Sequence, residues 1–229
     1  MAVKQAAFFD VDYTLIYGSS MMLYARYMRR AGEYSLWDIL SGFYYLARYK
    51  LNLLQLEKVI EKVSGRYQGR PEARLAEVCE RWFEEEVKDY LYPQAIALIE
   101  EHRSRRDELC LLSAVSIYLM MPLSRYLKIE NYFCNSMKVE KGIFTGEMNW
   151  PLCYGRNKLE FARRFEREKG ISLKDSYCYT DSITDLETMQ AFGYPVAVNP
   201  DPLLRREAKK RGWKIMDFAI PPPAKRKKA

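Results

Sequence analysis

Ala6-Ala7-Phe8-Phe9-Asp10-Val11-Asp12-Tyr13-Thr14-Leu15 decides how the rest of the chain is read. Four apolar residues run into Asp10, a second carboxylate follows two places later, and Thr14 stands two places after that. A short apolar run that stops abruptly at charge has the pattern of a buried parallel strand. The carboxyl end of such a strand is where open α/β sheets bind ligands. Strand alternation puts Asp10 and Asp12 on one side, facing a shared site. Two carboxylates that close repel each other unless a cation lies between them. An oxygen-rich site with no His nearby suits magnesium. A calcium loop of the EF-hand kind does not fit, because its Gly and Glu positions, counted from Asp10, hold Leu15 and Met21.

Two further apolar runs end in the same way. Leu109-Cys110-Leu111-Leu112 stops at Ser113, and Tyr177-Cys178-Tyr179-Thr180 stops at Asp181, with Asp185 four places on. The pattern over Asn157–Lys169 predicts an amphipathic helix with Lys158 in its first turn. Residues 184–192 and 203–211 predict helices, and residues 195–198 and 213–218 predict strands. Residues 133–139 and 143–148 flank Lys141-Gly142 and predict a hairpin. Strands alternating with helices imply a doubly wound parallel core. Between the first two strands, residues 19–90 read as helical throughout, in runs at 21–28, 36–49, 53–63 and 71–90 rich in aromatic residues. Pro71 suits a first helical turn. Residues 94–103 predict another helix. Its His102 stands among Glu101, Arg103, Arg105 and Arg106 and is expected at the solvated surface.

The chain has 229 residues, 48% hydrophobic and 29% charged, which fits an ordinary globular protein of one large domain or two small ones. No apolar run approaches the length of a membrane span. The N-terminus lacks the basic, apolar and cleavage regions of a signal peptide. Five scattered Cys without a C-x-x-C pair point to reduced thiols in a cytoplasm. With His102 as the single His, zinc sites and Ser–His or Cys–His nucleophile pairs are disfavoured. The net charge is +7, and removing the cluster Lys225-Arg226-Lys227-Lys228 lowers it to +3. Basicity is therefore partly a property of residues 221–229, a tail too polar to fold. It gives no reason to expect a specific nucleic-acid partner, and at most weak peripheral contact with a membrane.

Each polar residue at a strand end has an ordinary explanation by itself. A Ser there is commonly a turn or cap residue, a Lys at a helix start is commonly solvated, and Asp181 and Asp185 could cap the helix that follows. In this order, however, they form a pattern. Phe9-Asp10-Val11-Asp12-Tyr13-Thr14, Leu111-Leu112-Ser113, Lys158, and Asp181-Ser182-Ile183-Thr184-Asp185 resemble, one after another, the four motifs of the haloacid dehalogenase superfamily of phosphohydrolases. The helical insert after the first motif looks like the cap of the branch that contains phosphoserine phosphatase. Leu112-Ser113-Ala114, Tyr179-Thr180-Asp181-Ser182 and Pro195-Val196-Ala197-Val198-Asn199-Pro200-Asp201, with Arg211-Gly212-Trp213, are similar to a bacterial group of phosphoserine-phosphatase-like hydrolases.

The resemblance implies a Rossmann-like core over residues 1–18 and 91–220, with a cap over residues 19–90. It implies magnesium-dependent hydrolysis of a small organic phosphate monoester. Asp10 would be the nucleophile that forms an aspartyl-phosphate, and Asp12 the acid and then the base. Mg2+ would be held by the Asp10 carboxylate, the Asp12 backbone carbonyl and Asp181, with Asp185 ordering the surroundings of the metal. Ser113 and Lys158 would hold the phosphoryl oxygens. Tyr13 and Thr180 stand where many relatives have small residues or Gly, and Thr184 where many have Asn; these departures bear on pocket shape. Two other readings fit parts of the pattern: a lipid-phosphate phosphatase at a membrane surface, and a non-catalytic binding protein on a phosphatase core. The intact pair of Asp10 and Asp12 argues against the second, since binding alone needs no such pair.

Overall fold

The computed structural model describes residues 4–37, 40, 44, 61 and 63–219. Its first strand, β1 (Ala6–Phe9), is buried at every position. Further strands are β2 (Glu108–Ser116), β3 (Asn131–Asn135), β4 (Met137–Glu140), β5 (Ile143–Met148), β6 (Tyr177–Thr180), β7 (Tyr194–Val198) and β8 (Lys214–Met216). Six of these form one parallel sheet in the order β3-β2-β1-β6-β7-β8, and β4 and β5 form a separate antiparallel pair. The strand that carries Asp10 at its end therefore lies inside the sheet, between β2 and β6.

Alternation along β1 builds two cores at once, because successive side chains face opposite sides of a sheet. Ala7 and Phe9 join Leu109, Leu111 and Tyr179 on one face. That face is covered from α1 (Ser20–Arg30), α2 (Glu72–Glu85), α3 (Pro93–Ser104) and α4 (Ile117–Leu127). Ala6 and Phe8 join Cys110, Leu112 and Cys178 on the other face, under α5 (Asn157–Lys169), α6 (Leu186–Ala191) and α7 (Pro202–Arg211). Phe8 meets Phe165 and Phe192 edge-on, with ring centroids 5.3 and 5.0 Å away. Burying a ring of this size contributes roughly 1.5–3 kcal/mol. The result is the doubly wound, Rossmann-like sheet with an inserted helical segment that the sequence pattern predicts.

The insert is joined to the core along one side. Trp82 and Phe83 of α2 are buried in the same cluster as Phe9 and Leu111. Just before α2, the chain runs beside the β4–β5 hairpin. Gly69 N donates to Phe144 O at 2.9 Å, Phe144 N to Arg70 O at 3.0 Å, and Glu72 N to Gly142 O at 2.9 Å. Tyr118 Oη of α4 donates to Glu72 Oε1 at 2.9 Å. The helices expected over residues 36–49 and 53–63 lie largely outside the described residues, and the tail over 221–229 lies wholly outside them.

Three expectations are corrected. Strand β2 does not stop at Ser113 but continues to Ser116, because β3 pairs alongside it beyond a register shift after Leu112. Residues 133–139 are not one hairpin strand: the first part belongs to β3 in the main sheet and the second to β4. His102 is not solvated but fully buried. Its charged sequence neighbours mislead, because His102 lies on the face of α3 that also buries Ala95, Leu98 and Ile99, at helical spacing. There Nδ1 lies 2.7 Å from Asp107 Oδ2 and Nε2 2.7 Å from Tyr179 Oη, so both ring nitrogens are partnered inside the core.

Candidate active site

Strand register brings the polar residues level with one another. Phe9 pairs with Leu111 on one side and Tyr179 on the other, so Asp10 is level with Leu112 and Thr180 at the carboxyl edge of the sheet. Ser113 and Asp181 each lie one residue further along. The first turn of α5 supplies Lys158, a buried residue. Lys158 Nζ donates to Asp10 Oδ2 at 2.9 Å and to Asp185 Oδ2 at 2.7 Å. An ammonium has three donors, so one remains for a ligand oxygen. Asp10 is further fixed by Val11 N, which donates to Oδ1 at 2.7 Å.

Asp12 leaves the strand and turns towards the start of the insert. Ser20, the first residue of α1, donates to its carboxylate twice, from N to Oδ1 at 3.0 Å and from Oγ to Oδ2 at 3.1 Å. Between the two, Gly18 takes a φ of +100°, open to glycine and costly for other residues, and Tyr13 N donates to its carbonyl at 3.2 Å. Burial pushes the Asp12 carboxyl up to about 6, with the Asp10 charge adding to the effect and the Ser20 bonds opposing it. Asp181 is pushed up to about 8 by burial and then by the Asp10 charge. Asp185 is raised too, again by burial first, with Lys158 opposing. For Lys158, burial acts downward, but the Asp10 and Asp185 charges outweigh it and hold the ammonium well above its ordinary value.

The structure thus brings Asp10, Lys158 and Asp185 into direct contact, with Asp12 and Asp181 close enough to feel the Asp10 charge. Ser113 is buried on the neighbouring strand and makes no hydrogen bond to this group among the described residues. One contact was not anticipated as such. Thr180, noted in the sequence only as a departure, donates from Oγ1 to Asp185 Oδ2 at 2.7 Å and lies 3.4 Å from Asp10 Oδ2. Its place immediately before Asp181, at the strand end, was the available signal.

Four carboxylates stand here against one ammonium, and that imbalance tests whether a divalent cation belongs in the site. Among the described residues, no three Asp, Glu, His or Cys side chains form a ready-made cage. Mg2+ does not need one, since it commonly binds one or two carboxylates, waters and a substrate phosphate. Asp185 Oδ1 is buried without a hydrogen-bond partner. The Asp181 carboxyl is raised by burial first and then by the Asp10 charge, and a cation beside it would offset both. The donor set fits Mg2+.

A pH dependence follows. A carboxyl raised on folding binds its proton more tightly in the native state, so stability is greatest below its unfolded value and is lost as pH rises through the folded one. For Asp12 and Asp181 that window runs from about 4 to about 8. In chelator, the melting temperature is expected to fall by about 5 °C or more between pH 5.5 and 8.5, and by much less in millimolar Mg2+. Differential scanning calorimetry in both buffers checks this, and a flat profile in chelator would contradict it.

A carboxylate cluster and one buried ammonium, at the carboxyl edge of a parallel sheet beside a helical insert, make a site suited to a phosphoryl group and a divalent cation. Residues 7–190 match the family model of haloacid dehalogenase-like hydrolases. A phosphoserine phosphatase of Mycobacterium tuberculosis is 32% identical over 94% of this chain and 71% of its own length. A crystal structure of a protein of unknown function from Bordetella pertussis Tohama I superposes with a TM-score of 0.86, at 24% identity over 94% of this chain and 99% of that one. A phospho-aspartyl intermediate analogue of phosphoserine phosphatase superposes with a TM-score of 0.68, at 19% identity over 95% of both chains. The chain belongs to the haloacid dehalogenase-like hydrolase family, and within it to the phosphatases that act as phosphoric monoester hydrolases.

Proposed function

We propose that the chain hydrolyses a small organic phosphate monoester, with Mg2+, in two steps through an aspartyl-phosphate on Asp10. The observation that carries this is the contrast between two neighbouring carboxyls. Asp10 is paired with Lys158, whereas Asp12, pushed up to about 6, can hold a proton near neutral pH. In the first step an Asp10 carboxylate oxygen bonds to phosphorus as the bond to the leaving oxygen breaks, and Asp12 gives that oxygen its proton. In the second, Asp12 takes a proton from water, the water oxygen bonds to phosphorus, and phosphate leaves as Asp10 is restored. The third donor of Lys158 and the Ser113 hydroxyl would hold the phosphoryl oxygens. Asp10, Asp181 and the Asp12 carbonyl would hold Mg2+, with Asp185 beside them; the metal supplies positive charge to the phosphoryl group. Residues 19–90 would form the cap over a core of residues 1–18 and 91–220. The five free cysteines suit a reducing cytoplasm.

We infer that phosphoserine is not the best substrate, although Arg26, Arg29 and Arg48 of the insert are available for its carboxylate and Glu57 or Glu61 for its ammonium. The substrate ammonium requires a carboxylate and the substrate carboxylate an Arg or similar donors. The stretch Tyr17-Gly18-Ser19-Ser20 offers no acid, and the first one after it is Glu33. Both Ser20 donors are already given to Asp12. Ala114 and Val115 add bulk after Ser113. The expected result is Mg2+-dependent release of phosphate from an aryl phosphate, abolished by chelator. Across a panel of amino-alcohol, sugar and lipid phosphates, phosphoserine should not give the highest kcat/KM. No metal-dependent release would overturn the phosphatase reading, whereas a tenfold lead for phosphoserine would overturn only the substrate reading.

A further inference from the structure

We propose that Asn199 and Asp201 are positioning residues of this phosphatase, and that the segment Asn199-Pro200-Asp201 sets the spacing between the Asp12 loop and the Asp181 loop. The proposal rests on the catalytic roles argued above. The segment follows β7, the strand beyond β6, and neither side chain hydrogen-bonds to the carboxylate cluster. Each instead grips backbone next to a catalytic residue. Asn199 Nδ2 donates to Tyr13 O at 2.9 Å, one residue after Asp12. Its Oδ1 accepts from Phe218 N at 2.7 Å, and its own N donates to Met216 O at 2.8 Å. The side chain is thus a brace between the first catalytic loop and the chain leaving β8.

Asp201 performs the matching task on the other loop. Its N donates to Asp181 O at 2.8 Å, and its Oδ2 accepts from Ile183 N at 2.8 Å. Its remaining oxygen, Oδ1, caps α7 by accepting from Leu203 N and Leu204 N at 2.9 and 2.8 Å. Two backbone details fit the brace. Tyr13 has a φ of +56°, a left-handed conformation that a bulky residue keeps only when its surroundings fix it. Asn199 has a φ of +43°, and Asn tolerates that region better than most residues. Two residues, Asn199 and Asp201, therefore hold by separate bonds the two loops that carry Asp12 and Asp181. A displacement of about 1 Å between such groups costs roughly a hundredfold in rate.

The test uses the full chain, an aryl phosphate and Mg2+. Asn199→Gly keeps the left-handed backbone and removes both side-chain bonds. Asn199→Asp keeps the acceptor for Phe218 N and removes only the donor to Tyr13. Both should lower kcat by about 10- to 100-fold, with KM changed less than about threefold and the melting temperature within a few degrees of the unaltered chain. Asp201→Asn should lower kcat and also reduce the rise in melting temperature that Mg2+ produces. The proposal is overturned if both Asn199 variants keep kcat within about twofold. It is equally overturned if lost activity only tracks lost folded protein, with the rate per folded molecule unchanged. Should Asn199→Gly fail to fold, Asn199→Asp decides alone. An inactive unaltered chain would overturn the phosphatase reading, and this proposal with it; active unaltered protein with unimpaired variants overturns the proposal only.

Discussion

Asp10→Asn is expected to lower turnover by more than about a thousandfold and to leave the protein folded. An amide cannot attack phosphorus as a carboxylate does, so the first step is lost. The fold should tolerate the change, because the amide oxygen can still accept from Val11 N, as Asp10 Oδ1 does at 2.7 Å. Lys158 also keeps its 2.7 Å contact with Asp185. Removing one of four crowded carboxylates relieves repulsion as well. Steady-state kinetics with an aryl phosphate and a melting curve check both halves. Near-normal turnover in folded Asp10→Asn would end the aspartyl-phosphate mechanism.

Lys158→Met is expected to damage stability and rate together, in contrast to Asp10→Asn. Lys158 is 3% exposed and contacts both Asp10 and Asp185. Removing one partner of a buried ionic group leaves uncompensated charge and costs about 3–5 kcal/mol. That corresponds to a fall of very roughly 10 °C in melting temperature for a chain of this size. On the proposed mechanism the variant would also lack the donor to the phosphoryl group, so turnover by the remaining folded protein should fall by about a hundredfold or more. Urea unfolding and single-turnover rates separate the two effects. A variant as stable and as fast as the unaltered chain would show that Lys158 serves neither purpose.

How much of this was legible in the sequence depended on the range of the signal. The strand at Ala6–Phe9 and the helix at Asn157–Lys169 are written in local periodicity, and the structure places both at those bounds. The contact of Asp10 with Lys158 spans 148 positions; the motifs led only to the expectation that the two share a site, with Lys158 on the phosphoryl oxygens. The bond from Asn199 to Tyr13 spans 186 positions and leaves no local pattern, so its segment could be noted only as a likeness. His102 was misplaced because charged neighbours outweighed the helical spacing that buries it. The Thr180 hydroxyl was counted as bulk rather than as a donor, and only strand register shows it level with Asp10. The length of β2 was missed because its continuation past Ser113 depends on β3, not on its own composition.

The central place of β1 has a consequence for synthesis on the ribosome. Residues 6–9 are made before both of their neighbours in the sheet, residues 108–111 and 177–179. At about 5–20 residues per second, the second neighbour is made on the order of ten to thirty seconds later. Until residues 108–111 are made, the uncharged stretch Ala6-Ala7-Phe8-Phe9 has neither of its sheet neighbours to pair with, and until residues 177–179 are made it has only one. The strand that leads into Asp10 is thus made before both of its partners and is completed only with the second.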